Sequence, residues 1–422
     1  MTTVQPQQAG FSRRRLARLD NLLERYVEGG HLAGALGLLH RKGETAYCNA
    51  VGQRELETGA PMTEDTIFRI YSMTKPITSV AALMLYEDGH FLLDDPVALF
   101  LPEFADVQVF TGDLENLTPP DRQPTIKDLF MHTAGLSYGW DQNSPVDRLY
   151  RRRVGNREHL LLETFVQELA TLPLLYHPGT RWLYSLATDV LGRLVEVLSG
   201  KTLDEFFRQE IFKPLAMVDT GFHVPHDSVE RFSACYCPPD GFSLGSDLGR
   251  NMRTHAGPND DNQQVSEPKI KLHEPSQEGR FTKTPVFLSG GGGLVSTLGD
   301  YLRFSQMLLN GGTLDGNRLL GRKTAELMRA NHLPAELVPI GLGAEVRAGY
   351  GFGLGVSVLV DLPATSTPGS VGIYGWGGAA STQFWIDPVE EMLGIFMTQF
   401  MPAGYYPVAR EFRVAAYQAL ID

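Results

Sequence analysis

β-Branched and aromatic residues gather at the two ends of this 422-residue chain, and that placement restricts the fold more than any other feature. Near the start, Leu32 to His40 and Thr45 to Val51 read as strands joined by a hairpin turn at Arg41-Lys42-Gly43-Glu44. Near the end, Phe352 to Val360, Ser370 to Tyr374, Ser381 to Ile386 and Met392 to Phe400 have the same character. Connections this short join antiparallel neighbours, so both ends are expected to enter one antiparallel sheet. Leu16, Leu19, Leu22, Leu23 and Tyr26 recur at helical spacing ahead of Gly29-Gly30, and Val408 to Leu420 makes a last helix. These terminal helices are expected to cover the sheet.

Between the ends the pattern turns helical, at Thr74 to Glu87, Ile126 to Met131, Arg157 to Ala170, Ser185 to Leu198 and Leu203 to Ile211. The expected class is therefore α/β plus all-α. Residues 1–65 and 288–422 would form an α/β domain with the antiparallel sheet, and residues 66–287 a mainly helical inserted domain. The span 223–284 is polar and rich in Pro, Gly, Asp and Asn, which predicts a long surface excursion with little regular structure.

Composition removes several function classes. Hydrophobic residues make up 43% and charged residues 20%, as in soluble globular proteins, and no apolar run is long enough to span a bilayer. A net charge of -12 repels phosphate backbones and anionic lipid, and the dense basic run Arg151 to Arg153 is short. Neither a nucleic-acid nor a membrane partner is expected. Cys48, Cys235 and Cys237 cannot all pair, and no histidine spacing completes a zinc site around Cys-x-Cys, so reduced thiols and no metal or other cofactor are expected. The N-terminus lacks the apolar run of a secretory signal, which makes the cytoplasm the expected location.

The sharpest local signal is Tyr71-Ser72-Met73-Thr74-Lys75-Pro76, followed by the apolar run Ile77 to Leu85. Proline is tolerated only in the first turn of a helix, where its missing N–H would be unpaired anyway, so Ser72 must lie at or just before the helix start. There the unpaired N–H groups and the positive helix end favour a developing oxyanion. Residues three apart share a helix face, which brings the Lys75 amine within reach of the Ser72 hydroxyl. A serine with an amine positioned to take its proton is a nucleophile with its base.

This segment, with Tyr184-Ser185-Leu186 downstream and Trp376-Gly377-Gly378 near the C-terminus, resembles the family VIII carboxylesterases, which are similar to class C β-lactamases and penicillin-binding proteins. Supporting blocks stand in order at Leu129 to Leu136, His177-Pro178-Gly179-Thr180 and Ser289 to Thr297. The resemblance implies a serine β-lactamase-like fold and an esterase in which Ser72 attacks the acyl carbon while Lys75 and Tyr184 move protons. It implies an oxyanion hole from the N–H groups of Ser72 and Ala379, and a substrate wall from Trp376, Gly377, Gly378 and Leu186.

Two departures bear on the substrate, a small-molecule ester. The β-lactamases and peptidases carry Tyr-x-Asn where this chain has Leu186, which cannot hydrogen-bond an amide. They carry Lys-Thr-Gly where this chain has Trp376-Gly377-Gly378, so that lysine is not there to pair with a substrate carboxylate. Short, small hydrophobic esters are expected to be preferred, with weak β-lactam turnover. An acyltransferase, a β-lactamase or D-amino-acid peptidase, and a penicillin sensor that never deacylates are the alternatives.

Two Gly-x-Ser-x-Gly pentapeptides, at Gly135 to Gly139 and Gly241 to Gly245, imitate the elbow of an α/β-hydrolase. Neither Ser137 nor Ser243 has a strand before it and a helix straight after it, so both are expected to be coincidental. His132 is expected to be a helix-end histidine bonded to backbone, and Gly290 to Gly293 a tight turn beneath the site.

Overall fold

In the computed structural model, residues 2–247, 269–343 and 345–422 are described. Among them an eight-stranded sheet is built from both ends of the chain. Its strands are β1 (Gly34–Arg41), β2 (Glu44–Glu55), β3 (Ala60–Pro61), β4 (Tyr350–Phe352), β5 (Ser357–Leu359), β6 (Tyr374–Gly377), β7 (Gln383–Asp387) and β8 (Met392–Thr398). The spatial order is β4-β5-β6-β7-β8-β1-β2-β3, antiparallel throughout. The seam between the two ends is β1 against β8, with Leu36 opposite Met397 and Leu38 opposite Ile395.

All eight residues of β1 are buried, so both faces of this strand are covered. Ala35 and Leu39 face the terminal helices Arg13–Glu28 and Val408–Tyr417, in a cluster with Leu19, Leu23, Phe396 and Phe412. Leu36 and Leu38 point the other way, into the main core with Ile77, Val80 and Phe384. The period of two divides the strand between two cores.

The helix Thr74–Glu87 lies inside that main core, and nearly every residue from Thr74 to Leu83 is buried. A helix buried on every side belongs in an interior, and here it carries the Ser-x-x-Lys segment to the middle of the molecule. It packs beside the helix Ala187–Ser199. The ribbon Ile67–Arg69 with Val295–Thr297 fixes the chain just before Ser72.

Several expected elements differ in detail. The run Phe352 to Val360 is two strands, because Gly353-Leu354-Gly355 makes a tight turn in which the Gly353 N–H donates to the Val356 carbonyl at 2.8 Å. The strand expected at Ser370 to Tyr374 begins only at Tyr374. The helix expected from Arg157 starts at Leu162, and a separate helix, Pro145–Val154, precedes it. The excursion 223–284 is less irregular than its composition suggests: Cys235–Cys237 pairs with Lys271–Glu274, and Tyr236 donates its N–H to the Gln399 carbonyl at 2.9 Å. Three consecutive buried residues are enough to seat that ribbon against the sheet end. Residues 248–268 of the excursion lie outside the described residues. Among the described residues no helix is long and apolar enough to cross a membrane.

Candidate active site

Ser72 sits in a 3₁₀ turn, Tyr71–Met73, that runs directly into the helix Thr74–Glu87, with Pro76 in its first turn. Tyr71 holds a left-handed backbone, φ +41°, a conformation that a side chain this bulky adopts only when its surroundings enforce it. Two contacts hold it there: the Tyr71 ring packs edge-on to Phe281 at 5.8 Å, and its hydroxyl reaches Glu274 at 3.4 Å. The described part of the excursion thus clamps the residue before the nucleophile candidate.

Lys75 is 1% exposed, and its amine has three hydrogen-bond partners among the described residues. It donates to Ser72 Oγ at 3.3 Å, to the Tyr138 hydroxyl at 2.8 Å and to the Gly291 carbonyl at 2.6 Å. A carbonyl can only accept, so one N–H stays committed to Gly291. When the amine is neutral, its lone pair must then face one of the two hydroxyls. Asp189, fully buried, holds the glycine loop in place by accepting from Ser289 Oγ at 2.6 Å and from the Gly291 N–H at 3.1 Å. The Gly290–Gly293 turn therefore orients the lysine.

Tyr184 also reaches the site, by a different contact. Its ring face lies 4.6 Å below the Lys75 amine, and its hydroxyl accepts from the Trp376 indole N–H at 3.2 Å. Trp376 is 3% exposed and stands near the end of β6, which Gly377 closes and Gly378 follows. Aromatic rings close around this point: Tyr184 lies 5.2 Å from Tyr138 and 4.8 Å from His132, and Phe352 meets Trp376 at 5.3 Å. Trp140 stacks on Tyr138 at 4.6 Å. Leu186 is buried in the main core.

Beyond the tripeptide, the N–H of Ala379 has no hydrogen-bond partner among the described residues, whereas that of Gly378 donates to the Thr382 carbonyl at 2.7 Å. A Cβ at Gly378 would press into the Ile70 carbonyl, so the strand edge lies directly against the chain two residues before Ser72.

Tyr138 and Asp189 escaped the sequence reading. Tyr138 belongs to the first Gly-x-Ser-x-Gly pentapeptide, which as an elbow is the coincidence expected but which does shape the site. Gly135 takes φ +83° where a Cβ would meet the Tyr176 carbonyl, and Gly139 takes φ +78°. The turn they allow aims Tyr138 at Lys75. Ser137 itself is buried, donating to Asp147 at 2.6 Å and accepting from the Gly139 N–H at 2.9 Å. Ser243 starts a short helix, its N–H donating to Asp247. The signal available was the aromatic pair Tyr138 and Trp140 beside two glycines.

Electrostatics assign further roles. Burial, with Tyr184 and Asp189 alongside, pushes the Tyr138 phenol well above its ordinary value, so it stays neutral. Burial and then the nearby Lys75 hold His132 well below 6.5. Its Nδ1 accepts from the Ser185 N–H at 3.3 Å, the helix-end arrangement expected.

A family model described as Beta-lactamase matches residues 19–418. Esterase EstB of Burkholderia gladioli is 32% identical over 422 residues, covering 95% of this chain and 95% of the esterase. Protein Rv1367c of Mycobacterium tuberculosis is 35% identical over 383 residues, 89% of this chain and 88% of its own. Among solved structures, EstCE1, a hydrolase with promiscuous acyltransferase activity, superposes with a TM-score of 0.77 at 28% identity, covering 96% of this chain and 99% of that one. The chain belongs to the Beta-lactamase family, with its serine β-lactamase-like fold, and by that membership it is a serine hydrolase.

Proposed function

We propose that the chain is a carboxylesterase that hydrolyses short, small hydrophobic esters through an acyl-enzyme on Ser72. The observation that carries this reading is the meeting of Ser72 Oγ, the Tyr138 hydroxyl and the Gly291 carbonyl on one buried amine, Lys75. With one N–H held by Gly291, the Lys75 amine takes the Ser72 proton as Oγ bonds to the ester carbon. The oxyanion is met by the N–H groups of Ser72 and Ala379. Its collapse expels the alcohol oxygen, which takes a proton from Tyr184, and Tyr184 regains it from the lysine by way of the Tyr138 hydroxyl, which Lys75 reaches at 2.8 Å. Water then attacks the acyl carbon by the same route and frees Ser72.

Substrate class follows from the walls. Trp376, Tyr184 and Trp140 offer apolar faces, with Phe352 packed behind Trp376, and Leu186 and Trp376 replace the polar contacts that would hold an amide and a carboxylate. Removing two such contacts, each worth ~1 to 3 kcal/mol, lowers transition-state binding of lactams by ~10² or more. β-Lactam turnover is therefore weak.

A second reading has its own support. EstCE1 is a hydrolase with promiscuous acyltransferase activity, so an alcohol can replace water as the acceptor on a closely similar fold.

Stopped-flow hydrolysis of p-nitrophenyl butyrate tests the proposal, with nitrocefin and an added alcohol run alongside. Steady turnover after an acylation burst is expected. One equivalent of p-nitrophenol followed by silence would instead identify a sensor.

A further inference from the structure

The departure at Trp376 removes a lysine from the position where relatives bind carboxylates, yet the site is not without a cation. The Arg347 guanidinium lies 5.3 Å from the centroid of the Trp376 ring and 5.6 Å from that of Tyr350. Trp376 is the residue whose indole bonds the Tyr184 hydroxyl, so Arg347 stands one ring away from the proton-moving groups. Tyr350 is itself fixed, because Arg413 donates to its hydroxyl. The guanidinium is thus held between two rings that other contacts have already placed.

Among the described residues Arg347 has no counter-charge. The acidic residues outnumber the basic ones, 49 to 37, and buried or partly buried arginines such as Arg41, Arg69, Arg193 and Arg231 are paired with carboxylates. Arg347 makes no ion pair and no side-chain hydrogen bond with any described residue, although Glu345 is two positions away. It is half-buried, so it retains an open side. Stacking leaves the edge of a guanidinium free, and that edge carries the paired donors that match a carboxylate in two parallel hydrogen bonds.

Resting on the esterase reading above, we infer that Arg347 is a carboxylate-binding subsite, and that the preferred substrates are esters carrying a second, free carboxylate remote from the scissile bond. The chemistry is consistent with the overall charge. A net charge of -12 repels an anionic ester at long range, but that repulsion is screened beyond ~8 Å at physiological salt, whereas a contact pair with a half-buried guanidinium is screened little. The hydrophobic walls would receive the ester itself and Arg347 its distal end.

Two matched pairs of substrates locate the carboxylate. On the acyl side, the mono-p-nitrophenyl ester of glutaric acid is compared with p-nitrophenyl butyrate; on the alcohol side, 4-butyryloxybenzoate is compared with its methyl ester. In at least one pair, kcat/KM for the anion is expected to exceed that for the neutral ester, by a preference that added salt does not abolish. Arg347→Met is expected to lower that anion-to-neutral ratio at least ten-fold, mainly through KM, and Arg347→Lys to restore part of it. A ratio that Arg347→Met leaves unchanged in both pairs, even with both rates lowered, would make Arg347 a mere cover for Trp376 and overturn the inference. Failure of the parent enzyme to hydrolyse any of the four esters would overturn the esterase reading itself.

Discussion

Lys75 meets Tyr184 at the ring face, 4.6 Å from its centroid, and not at the hydroxyl, which is turned to the Trp376 indole at 3.2 Å. Because that hydroxyl accepts from Trp376, this contact does not use its own proton, which can be given away. In the proposed mechanism this geometry would separate two duties: Lys75 would receive the Ser72 proton, and Tyr184 would supply one to the departing alcohol.

A phenol that protonates the leaving group matters only when the leaving group needs a proton. Tyr184→Phe is therefore expected to lower acylation by ethyl or butyl esters ~10²-fold or more, and acylation by p-nitrophenyl esters far less. Pre-steady-state rates on the two leaving groups check this. Equal losses on both would place Tyr184 with Lys75 in activating the serine.

Ser72→Ala is expected to abolish hydrolysis, while Ser243→Ala changes little, since Ser243 engages the short helix through its backbone N–H. Ser137→Ala should act on stability. It leaves the buried Asp147 without one partner, which costs ~1 to 3 kcal/mol. Thermal melts beside activity assays separate the three, and an acyl adduct mapped by mass spectrometry to Ser137 would refute the assignment.

The sheet and its terminal helices were legible because each rests on a short-range pattern: strand-like runs joined by the hairpin turn at Arg41 to Glu44, and a helical stripe from Leu16 to Tyr26. Ser72 and Lys75 were legible because three residues span one turn. Tyr138 was not, since it meets Lys75 across 63 positions and its neighbours in sequence imitate a different motif. Asp189 is hidden for the same reason: it reaches Lys75 only through the Gly291 loop, 102 residues on. Contacts of this kind are made by topology, and no local period encodes them.

His40 gives the fold a defined acid sensitivity. It is 3% exposed, with Nδ1 against Thr45 Oγ1 at 3.1 Å and Nε2 against the Gln306 amide at 2.9 Å, and burial pushes its pKa down from 6.5 to about 4. An imidazole that resists protonation when folded binds its proton more readily when unfolded. Stability from this group is therefore intact above pH 6.5 and declines between 6.5 and about 4, by ~1.4 kcal/mol per unit. Urea midpoints at pH 7.5 and pH 5 should show the decline, and His40→Gln should flatten it. Identical slopes in parent and variant would assign the sensitivity elsewhere.

Gly378→Ala probes the joint between sheet edge and nucleophile. The new methyl would run into the Ile70 carbonyl and the Thr382 hydroxyl, so either the strand edge or the segment leading to Ser72 must move. A shift of either separates the Ala379 N–H from the Ser72 N–H, the two proposed oxyanion donors. Losing one such donor typically lowers kcat 10²- to 10³-fold, and a loss of about that size is expected here with KM less affected. The methyl also adds strain, so melting temperature must be followed in parallel: a stable variant with unimpaired kcat would show that this edge does not set the oxyanion geometry.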